Sequence, residues 1–485
     1  MKRRDAIKGL LLGSTIVPFT KVSAEEKKYK AVGERALYES SSIDIARPKI
    51  YKVGVKQSVK LYFENLPSDI SISCLSEDGV DLQGNRYEAE ASMLYREGQI
   101  DGYGKQDIIS AKTLPSLAFK RSGGVIELEN IVFKNEGRYV FAVRLNCKNR
   151  VIARAWVYAL NRDLFEMRPY VGDIHMHSAF SDGENSNIEM ALVGLERGFD
   201  FLAISDHRRR IGSTDLIKTL ADVPMSMSVF PAEEAHASIL HINNFGSTGS
   251  IEDWSKNERA DFDLRTNRIL KTIPDSLNLS KIDKLTLAQS EAVFEKIREL
   301  GGLAIFNHPY WRRDGERFYV SDALRDALIS RGKFDAIEVI NGSINYDSTD
   351  LSIMRYYQAI ADGYKMAIVG CSDAHKVEEL GCGLTIAFAK SNSLEDIKHA
   401  IVSHNVVALD TFASYERPKI VGSARLMKYV SFLWKNFFPI HDELCKKHSN
   451  TLREFLRTPK DEKLYKKLKS QVEEIKSLYS DMWIK

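Results

Sequence analysis

The sequence predicts a mixed α/β protein built around a barrel of about seven βα units, with a small all-β domain before the barrel and helices after it. Three observations lead to this fold class. Apolar and polar residues alternate between about residues 47 and 160, as in half-buried strands. Beyond Val171, short apolar strands alternate with capped helices. After residue 412, apolar residues recur at helical spacing.

Length and composition exclude several classes of protein. The 485 residues suffice for two or three folded units, and 44% hydrophobic residues exclude a disordered chain. The 69 basic and 66 acidic residues give a net charge of only +3, and residues 1–24 alone carry +4, so the rest of the chain has no cationic surplus and we expect no nucleic-acid partner. Five cysteines without a CxxC pair exclude a disulfide framework and a thiolate zinc site.

Residues 1–24 resemble an export signal. A basic start is followed by a short apolar stretch and by small residues before Glu25. The pair Arg3-Arg4, with Lys8 shortly after it, resembles a twin-arginine signal. We therefore expect a periplasmic or extracellular protein, exported by the twin-arginine route, with no transmembrane anchor after signal removal. An ordinary secretory signal or an uncleaved anchor is the alternative.

The all-β domain is predicted over residues 30–165. Residues 59–63, 70–74 and 139–145 alternate with period two, and residues 151–160 form a hairpin partner for the last of these. The turn before Tyr139 is typical of a late strand in an immunoglobulin-like sandwich.

The barrel is predicted over residues 168–412. Ser186-Asn-Ile-Glu189 is a capping box that opens a helix ending at Gly198, and strand 201–205 follows. A second capping box at Thr286 opens a helix to Leu300. Further elements are strand 303–306, strand 336–340, helix 350–362, strand 366–370 and strand 384–388. The polar stretch 246–284 is an insertion that can cover the site as a lid.

Residues 413–485 are predicted to form a helical extension. A stripe of apolar side chains there can dock on another helix, which favours a packing role over membrane-surface or partner binding. The stripe consists of Leu464, Leu468, Val472, Ile475, Tyr479 and Met482.

Histidines are concentrated at the ends of the predicted barrel strands. Seven of the eleven lie between residues 175 and 375. Because the carboxyl ends of parallel strands meet on one face of a barrel, distant residues can share a metal site there. His175 and His177 are two residues apart, so both rings point to the same side of their strand. Imidazole and carboxylate ligands together suit Zn, Mn or Fe better than Ca.

Four motifs in order resemble those of the PHP (polymerase and histidinol phosphatase) superfamily. They are Gly172-Asp-Ile-His-Met-His-Ser-Ala-Phe-Ser-Asp-Gly183, Ile204-Ser-Asp-His207, Phe306-Asn-His-Pro-Tyr310 and Gly370-Cys-Ser-Asp-Ala-His375. The resemblance covers residues 168–412. It implies a distorted (βα)7 barrel that is TIM-like, a site for two or three divalent metals per chain, and hydrolysis of phosphoesters.

The resemblance also implies a set of metal ligands. His175, His177 and Asp373 would hold one metal; Glu234 would bridge it to a second metal bound by His241 and His308; and Asp182, His207 and His375 would hold a third. Two alternatives stay open, because Glu233 adjoins Glu234 and His236 competes with His241. We prefer Glu234 and His241, and expect His236 to be solvated or to support a ligand.

Basic and acidic neighbours of these histidines are candidates for catalysis and substrate binding. Arg208 directly follows His207, and Arg312 and Arg313 follow the third motif, so we expect these arginines to contact substrate phosphate. Asp206 is a catalytic candidate with Arg208, and like Asp173 it is expected to orient an imidazole.

The predicted function is an exported hydrolase of phosphomonoesters or phosphodiesters that uses a metal-activated water. Its substrate would be a small-molecule or glycan-linked phosphoester. Two other functions remain open, a non-catalytic glycan-binding or surface-binding protein and a metal-dependent amide or lactone hydrolase of the amidohydrolase type. The sequence does not indicate an oligomeric state.

Overall fold

The chain divides into two compact units. The computed structural model describes residues 46–63, 65–86, 115–148, 150–313, 317–343, 346–412, 414 and 417–484. One unit holds the segment up to Arg47 with Val55–Val132 and Tyr139–Val157, and the other holds Pro48–Gly54, Phe133–Arg138 and Tyr158–Lys485. The export signal predicted over residues 1–24 lies outside the described residues and stays a prediction, as do the predicted domain bounds.

Up to residue 160 the described chain is mainly β-structure. Its strands are β1 (Ala46–Arg47), β2 (Ile50–Lys52), β3 (Gln57–Tyr62), β4 (Ile70–Ser76), β5 (Lys120–Ser122), β6 (Val125–Ile131), β7 (Gly137–Leu145) and β8 (Arg150–Leu160). One sheet has the order β1-β3-β6-β5, and β4 pairs antiparallel with β7. Every second side chain of β7 is buried, which is the predicted period-two pattern. The immunoglobulin-like topology stays a prediction.

The rest of the chain alternates strands and helices. The elements are α1 (Arg162–Phe165), β9 (Arg168–Asp173), α2 (Asn187–Glu196), β10 (Phe201–Ile204), α3 (Ile211–Leu220), β11 (Ser228–Pro231), β12 (Glu234–Ala237), β13 (Leu240–Phe245), α4 (Ile251–Asn257), α5 (Arg259–Leu270), α6 (Lys281–Glu299), β14 (Leu303–Phe306), β15 (Arg312–Arg313), β16 (Arg317–Phe318), α7 (Asp322–Arg331), β17 (Ala336–Asn341), α8 (Tyr346–Ala361), β18 (Ala367–Cys371), β19 (Gly383–Ala389), α9 (Leu394–Val402), β20 (Val406–Asp410), β21 (Lys419–Val421), α10 (Ala424–Asn436), α11 (Phe438–Arg457) and α12 (Glu462–Met482).

These strands form two mixed sheets, with the orders β11-β10-β9-β19-β20-β21 and β12-β13-β14-β17-β18. Within the described residues, the strand pairings do not close them into one barrel. The parallel pairing that the sequence predicts holds for β9-β10-β11 and for β14-β17-β18. In contrast, β12 and β13 are antiparallel, because only Ser238 and Ile239 join them and so short a connection makes a hairpin.

Capping signals explain where the helices begin. The Ser186 hydroxyl accepts a hydrogen bond from the Glu189 backbone N–H at 3.2 Å, so α2 begins where the capping box predicts. The start predicted for α6 at Thr286 is wrong. Ser280 caps this helix by accepting from the Asp283 N–H at 3.1 Å, and Thr286 is buried inside the helix.

The hydrophobic core lies between the sheets' apolar strands and the helices that cover them. Strands β10, β17 and β18 are buried along their whole length, as expected for strands covered on both faces. The stretch 246–284, expected to be a polar lid, instead forms α4, α5 and the start of α6. Trp254 and Phe262 from this stretch are buried in the core, with ring centroids 5.4 Å apart.

The last three helices pack within the same unit as the sheets. Leu468, Ile475 and Met482 of the predicted stripe are buried. Helix α11 is tied to the start of β10 by His441, whose Nε2 lies 3.0 Å from Asp200 Oδ1. Among the described residues, no helix combines the length and the apolar character that a membrane span requires.

Candidate metal centre

The ends of four strands bring the predicted ligands to one place. His175 and His177 follow β9, His207 follows β10, and His308 follows β14. Asp373 and His375 follow β18, and Glu234, His236 and His241 belong to the β12–β13 hairpin. Asp182 lies in the loop between His177 and α2.

The imidazole nitrogens and carboxylate oxygens form four overlapping groups. In each group the ligand atoms all lie within 4.8 Å of one another. The groups are His177, Asp182, His207 and His375; His207, Glu234, His236 and His241; His175, His308 and Asp373; and His175, His177 and Glu234. The structure therefore brings all nine predicted ligands together and adds His236 as a tenth residue. Whether they bind metal remains a prediction.

Glu234 occupies the middle of the cluster. Its Oε1 lies 3.1 Å from His175 Nε2, 3.2 Å from His241 Nδ1 and 3.2 Å from His308 Nε2. Its Oε2 lies 2.6 Å from His207 Nδ1. The carboxylate is fully buried, and although burial opposes ionisation, His241 and His175 hold its pKa well below the usual value. Glu234 is thus within reach of four histidines at once, and its predicted role as a bridging ligand stays a prediction.

Glu233 points away from the cluster, because successive residues of an extended segment face opposite sides. Its carboxylate accepts hydrogen bonds from the backbone N–H groups of Ile251 at 2.8 Å and Glu252 at 3.0 Å, and from the Ser250 hydroxyl at 3.1 Å. It therefore binds the amino end of helix α4, where the helix dipole favours a negative charge. Of the two glutamates that the sequence left open, Glu234 faces the cluster and Glu233 does not; the assignment of Glu234 as a metal ligand stays a prediction.

His236 and His241 both reach the cluster, and of the two roles predicted for His236, solvated or supporting a ligand, its contact with His207 agrees with the second. They are directly opposite in the β12–β13 hairpin, and their stacked rings lie 4.1 Å apart between centroids. His236 Nε2 is 3.0 Å from His207 Nδ1. Burial, and to a smaller extent the charge of His241, lowers the pKa of His236 to about 3. The ring is therefore uncharged and has a nitrogen lone pair available to a cation.

The electrostatics of the cluster are those of a cation site. Hydrogen bonds from His207 and His375 hold the pKa of Asp182 far below its usual value. Burial opposes protonation of His207, yet hydrogen bonds to Asp182 and Glu234 raise its pKa to about 10. The ionised carboxylates therefore attract positive charge, which in the metal-free protein is supplied by protonated imidazoles. A divalent cation would replace those protons.

The packing of the cluster fits the same interpretation. Glu234 Oε2 and His241 Nδ1 are both buried, and each faces another member of the cluster: Oε2 lies 2.6 Å from His207 Nδ1, and His241 Nδ1 lies 3.2 Å from Glu234 Oε1. The ring of His177 lies 4.3 Å from that of His375 and 4.4 Å from that of His207. Crowded imidazoles around buried carboxylates suit divalent Zn, Mn or Fe.

Glu338 contacts two members of the cluster at once. Its Oε1 lies 3.0 Å from His175 Nδ1, and its Oε2 accepts from the His308 backbone N–H at 2.7 Å. Asn341 Nδ2 donates to Glu338 Oε2 and to Asp373 Oδ2, both at 3.1 Å. A carboxylate that holds the far nitrogen of a ligand histidine orients the ring towards the metal.

Asp173 and Asp206 contact backbone amides and hydroxyls instead of the imidazoles that the sequence predicted they would orient. Asp206 accepts from the Ser178 N–H at 2.7 Å and from the hydroxyls of Ser178 and Ser181, both at 2.8 Å. Asp173 accepts from the N–H and hydroxyl of Ser372. We therefore reinterpret the predicted catalytic role of Asp206 as positioning of the loop that follows β9.

The predicted phosphate-binding arginines have different surroundings. Arg208 is exposed, has φ +53°, and lies close enough to His236 for its charge to lower the pKa of that ring. Arg312 points elsewhere: its Nη2 is 2.8 Å from Asp347 Oδ2, and its guanidinium lies 4.6 Å from the ring centroid of Phe318. The side chain of Arg313 is outside the described part of the protein.

Comparisons with known proteins agree with the PHP resemblance over part of the chain. The PHP-associated family model matches residues 357–406, which include β18 and β19. The DNA polymerase/3'-5' exonuclease PolX of Bacillus subtilis is 23% identical over 269 residues, or 53% of this chain and 43% of PolX. This chain thus spans less than half the length of that curated relative.

Solved structures of other proteins are also similar. A two-domain protein from Bacteroides vulgatus, described as containing a predicted PHP-like metal-dependent phosphoesterase, is 18% identical with a TM-score of 0.33, covering 50% of this chain and 65% of that one. The lesion-specific endonuclease PfuEndoQ from Pyrococcus furiosus is 16% identical with a TM-score of 0.31, covering 49% of this chain and 56% of that one.

Proposed function

We propose that this protein is a metal-dependent hydrolase of phosphomonoesters or phosphodiesters, of the PHP type. The observation that carries the proposal is the central position of Glu234, whose two carboxylate oxygens approach histidines from three of the four strand ends and from the β12–β13 hairpin. One carboxylate that reaches all these rings can link separate cations. The two mixed sheets would be a distorted form of the (βα)7 arrangement.

Different residues of the site would have different chemical roles. Divalent cations bound here would polarise phosphoryl oxygens and lower the pKa of water. His175, His177 and Asp373 would hold one cation, His241 and His308 a second, and Asp182, His207 and His375 a third, with Glu234 bridging the first two. Arg208 is exposed beside His236, where its guanidinium can bind non-bridging phosphate oxygens bidentately.

Metal content and hydrolysis, measured on matched variants, test the proposal. The purified protein is analysed for Zn, Mn and Fe, and assayed with p-nitrophenyl phosphate, bis-p-nitrophenyl phosphate and p-nitrophenyl acetate. His177→Ala and His308→Ala should lose metal and phosphoester hydrolysis by more than the roughly 10- to 100-fold effect of removing a group that only supports a ligand. His399→Ala, an exposed histidine in α9, is the control. Full metal content and activity in both site variants would contradict the proposal.

Export and substrate class complete the proposal. We propose that residues 1–24 direct the protein to the periplasm or cell exterior by the twin-arginine route, where it acts on a small-molecule or glycan-linked phosphoester. Replacing Arg3 and Arg4 by lysine should block export of a tagged protein. Unchanged export would instead favour an ordinary secretory signal.

A further inference from the structure

A small hairpin follows His308 and carries an aromatic pair at its base. Strands β15 and β16 pair antiparallel, with Arg312 opposite Phe318. Trp311 precedes Arg312 and Tyr319 follows Phe318, and the Tyr319 N–H donates a hydrogen bond to the Trp311 carbonyl at 2.9 Å. The two rings lie side by side, with centroids 4.7 Å apart.

The hairpin has two faces with different surroundings. Because side chains alternate along a strand, Arg312 and Phe318 lie on one face and Trp311 and Tyr319 on the other. The first face packs inward, where the buried Arg325 stacks its guanidinium over Phe318 at 5.4 Å. The second face presents its two rings, both partly exposed, towards the metal centre.

The aromatic pair directly adjoins two of the proposed metal ligands. The Trp311 ring lies 5.6 Å from His241 and 5.6 Å from His308, between centroids. The Tyr319 ring lies 6.3 Å from His241. Neither ring belongs to the main hydrophobic cluster of the fold. Partly exposed planar rings beside a reaction centre offer a stacking surface to whatever group is attached to the reacting atom.

We propose that Trp311 and Tyr319 form a ring-binding subsite, and that the substrates are phosphoesters whose organic group carries a planar aromatic or heteroaromatic ring. This inference rests on the proposed function, because the subsite is defined by its position beside the phosphoester-cleaving centre. A ring two or three bonds from the phosphorus, as in an aryl or a benzyl ester, would reach the stacking surface while the phosphate remains among His241, His308 and their neighbours. Stacking of this kind changes binding by about 5- to 150-fold when the protein's ring is removed, which is about 1–3 kcal/mol.

Benzyl phosphate and ethyl phosphate test the subsite, because their leaving alcohols are similar in chemistry and differ in the ring. If the enzyme cleaves only diesters, methyl benzyl phosphate and methyl ethyl phosphate replace them. Wild type should have the higher kcat/KM for the benzyl substrate. Trp311→Ala should lose about 5- to 150-fold on the benzyl substrate and little on the ethyl one, whereas Trp311→Phe should keep most of the preference. Tyr364→Ala, an exposed aromatic residue outside the site, is the control.

Equilibrium binding separates failure of the subsite from failure of the proposed function. Benzylphosphonate and ethylphosphonate, which are not hydrolysed, are titrated into the metal-loaded protein by calorimetry. Selective benzylphosphonate binding that depends on Trp311, without hydrolysis of any phosphoester, would support the subsite and overturn the hydrolase. Hydrolysis with equal benzyl and ethyl kinetics would support the hydrolase and overturn the subsite. If Trp311→Ala does not fold, Tyr319→Leu replaces it in both experiments. The subsite is then judged by the preference of the wild type for benzyl over ethyl compounds and by the loss of that preference in Tyr319→Leu.

Discussion

Replacement of Glu338 by glutamine should weaken metal binding without removing any proposed ligand. The carboxylate receives three donors: His175 Nδ1, the His308 N–H and Asn341 Nδ2. Glutamine has the same size but only one acceptor oxygen, and its NH2 group would face one of these donors. The ring of His175 would then lose the contact that directs its Nε2 towards Glu234, which is 3.1 Å away.

The magnitude follows from the number of contacts affected. One ligand ring and one ligand backbone depend on Glu338, and removing a supporting partner of a metal-bound histidine typically costs 10- to 100-fold in metal affinity. At about 1.4 kcal/mol per tenfold change, the expected loss is about 1.4–2.8 kcal/mol of binding free energy. Removal of His175 itself should weaken metal binding further, because the protein then loses a proposed ligand and not only the residue that orients it.

Zinc affinity is measured by competition with a chelator of known affinity, and folding is monitored by circular dichroism. Glu291→Gln is the matched control, because Glu291 is also a buried glutamate but pairs with Arg331, outside the cluster. That variant should lose stability and keep its zinc affinity. If Glu338→Gln bound zinc as tightly as wild type while remaining folded, the supporting role assigned to Glu338 would be refuted.

Three further predictions concern other parts of the second unit. Burial lowers the pKa of His448 to about 4, below the unfolded value of about 6.5. The free energy of unfolding should therefore fall by about 3 kcal/mol as the pH drops from about 6.5 to about 4. Urea titrations of metal-free protein should show that His448→Leu loses this pH dependence. Gly212→Ala would place a methyl group 1.8 Å from Asp206 Oδ2, and should destabilise by about 1–3 kcal/mol in thermal denaturation, more than Gly249→Ala, where the methyl meets only a flexible leucine side chain. Asp182→Asn should remove only the cation that Asp182 would share with His207 and His375, so metal analysis should show one ion fewer per chain; unchanged metal content would contradict the three-cation assignment.

The sequence could predict the candidate site because its chemistry lies at strand ends, and strand ends are visible in a pattern of residues. For example, a short apolar run predicts a buried strand, and Asp373 and His375 directly after it are residue types that bind metals. The same holds for His175 and His177, whose spacing of two places both rings on one side of the chain. Residues that follow different strands could therefore be grouped before any distance was known.

Features that depend on irregular backbone could not be predicted in this way. Strand β17 has a register shift between Glu338 and Ile340, and this irregularity lets Glu338 and Asn341 turn to the same side although they are three residues apart. A regular strand would have placed them on opposite faces. In the same way, the two-residue turn of the β12–β13 hairpin sets a register that pairs His236 with His241, but no Asn-Gly or Asp-Gly pair marks this turn in the sequence.

Three of the seven non-glycine residues that have a positive φ in the described part of the protein lie at the cluster. Arg208, His308 and Asp373 are non-glycine residues with φ values of +53°, +25° and +52°. Each such conformation costs of order 1–3 kcal/mol and persists only where surrounding contacts hold it. Here the Arg208 N–H donates to the Glu234 carbonyl at 2.9 Å, and the Asp373 N–H donates to the His175 carbonyl at 2.8 Å. Arg208 and Asp373 are thus held by hydrogen bonds to the backbone of predicted ligands, and the His308 N–H donates to Glu338 Oε2 at 2.7 Å, so contacts within or beside the cluster fix all three conformations.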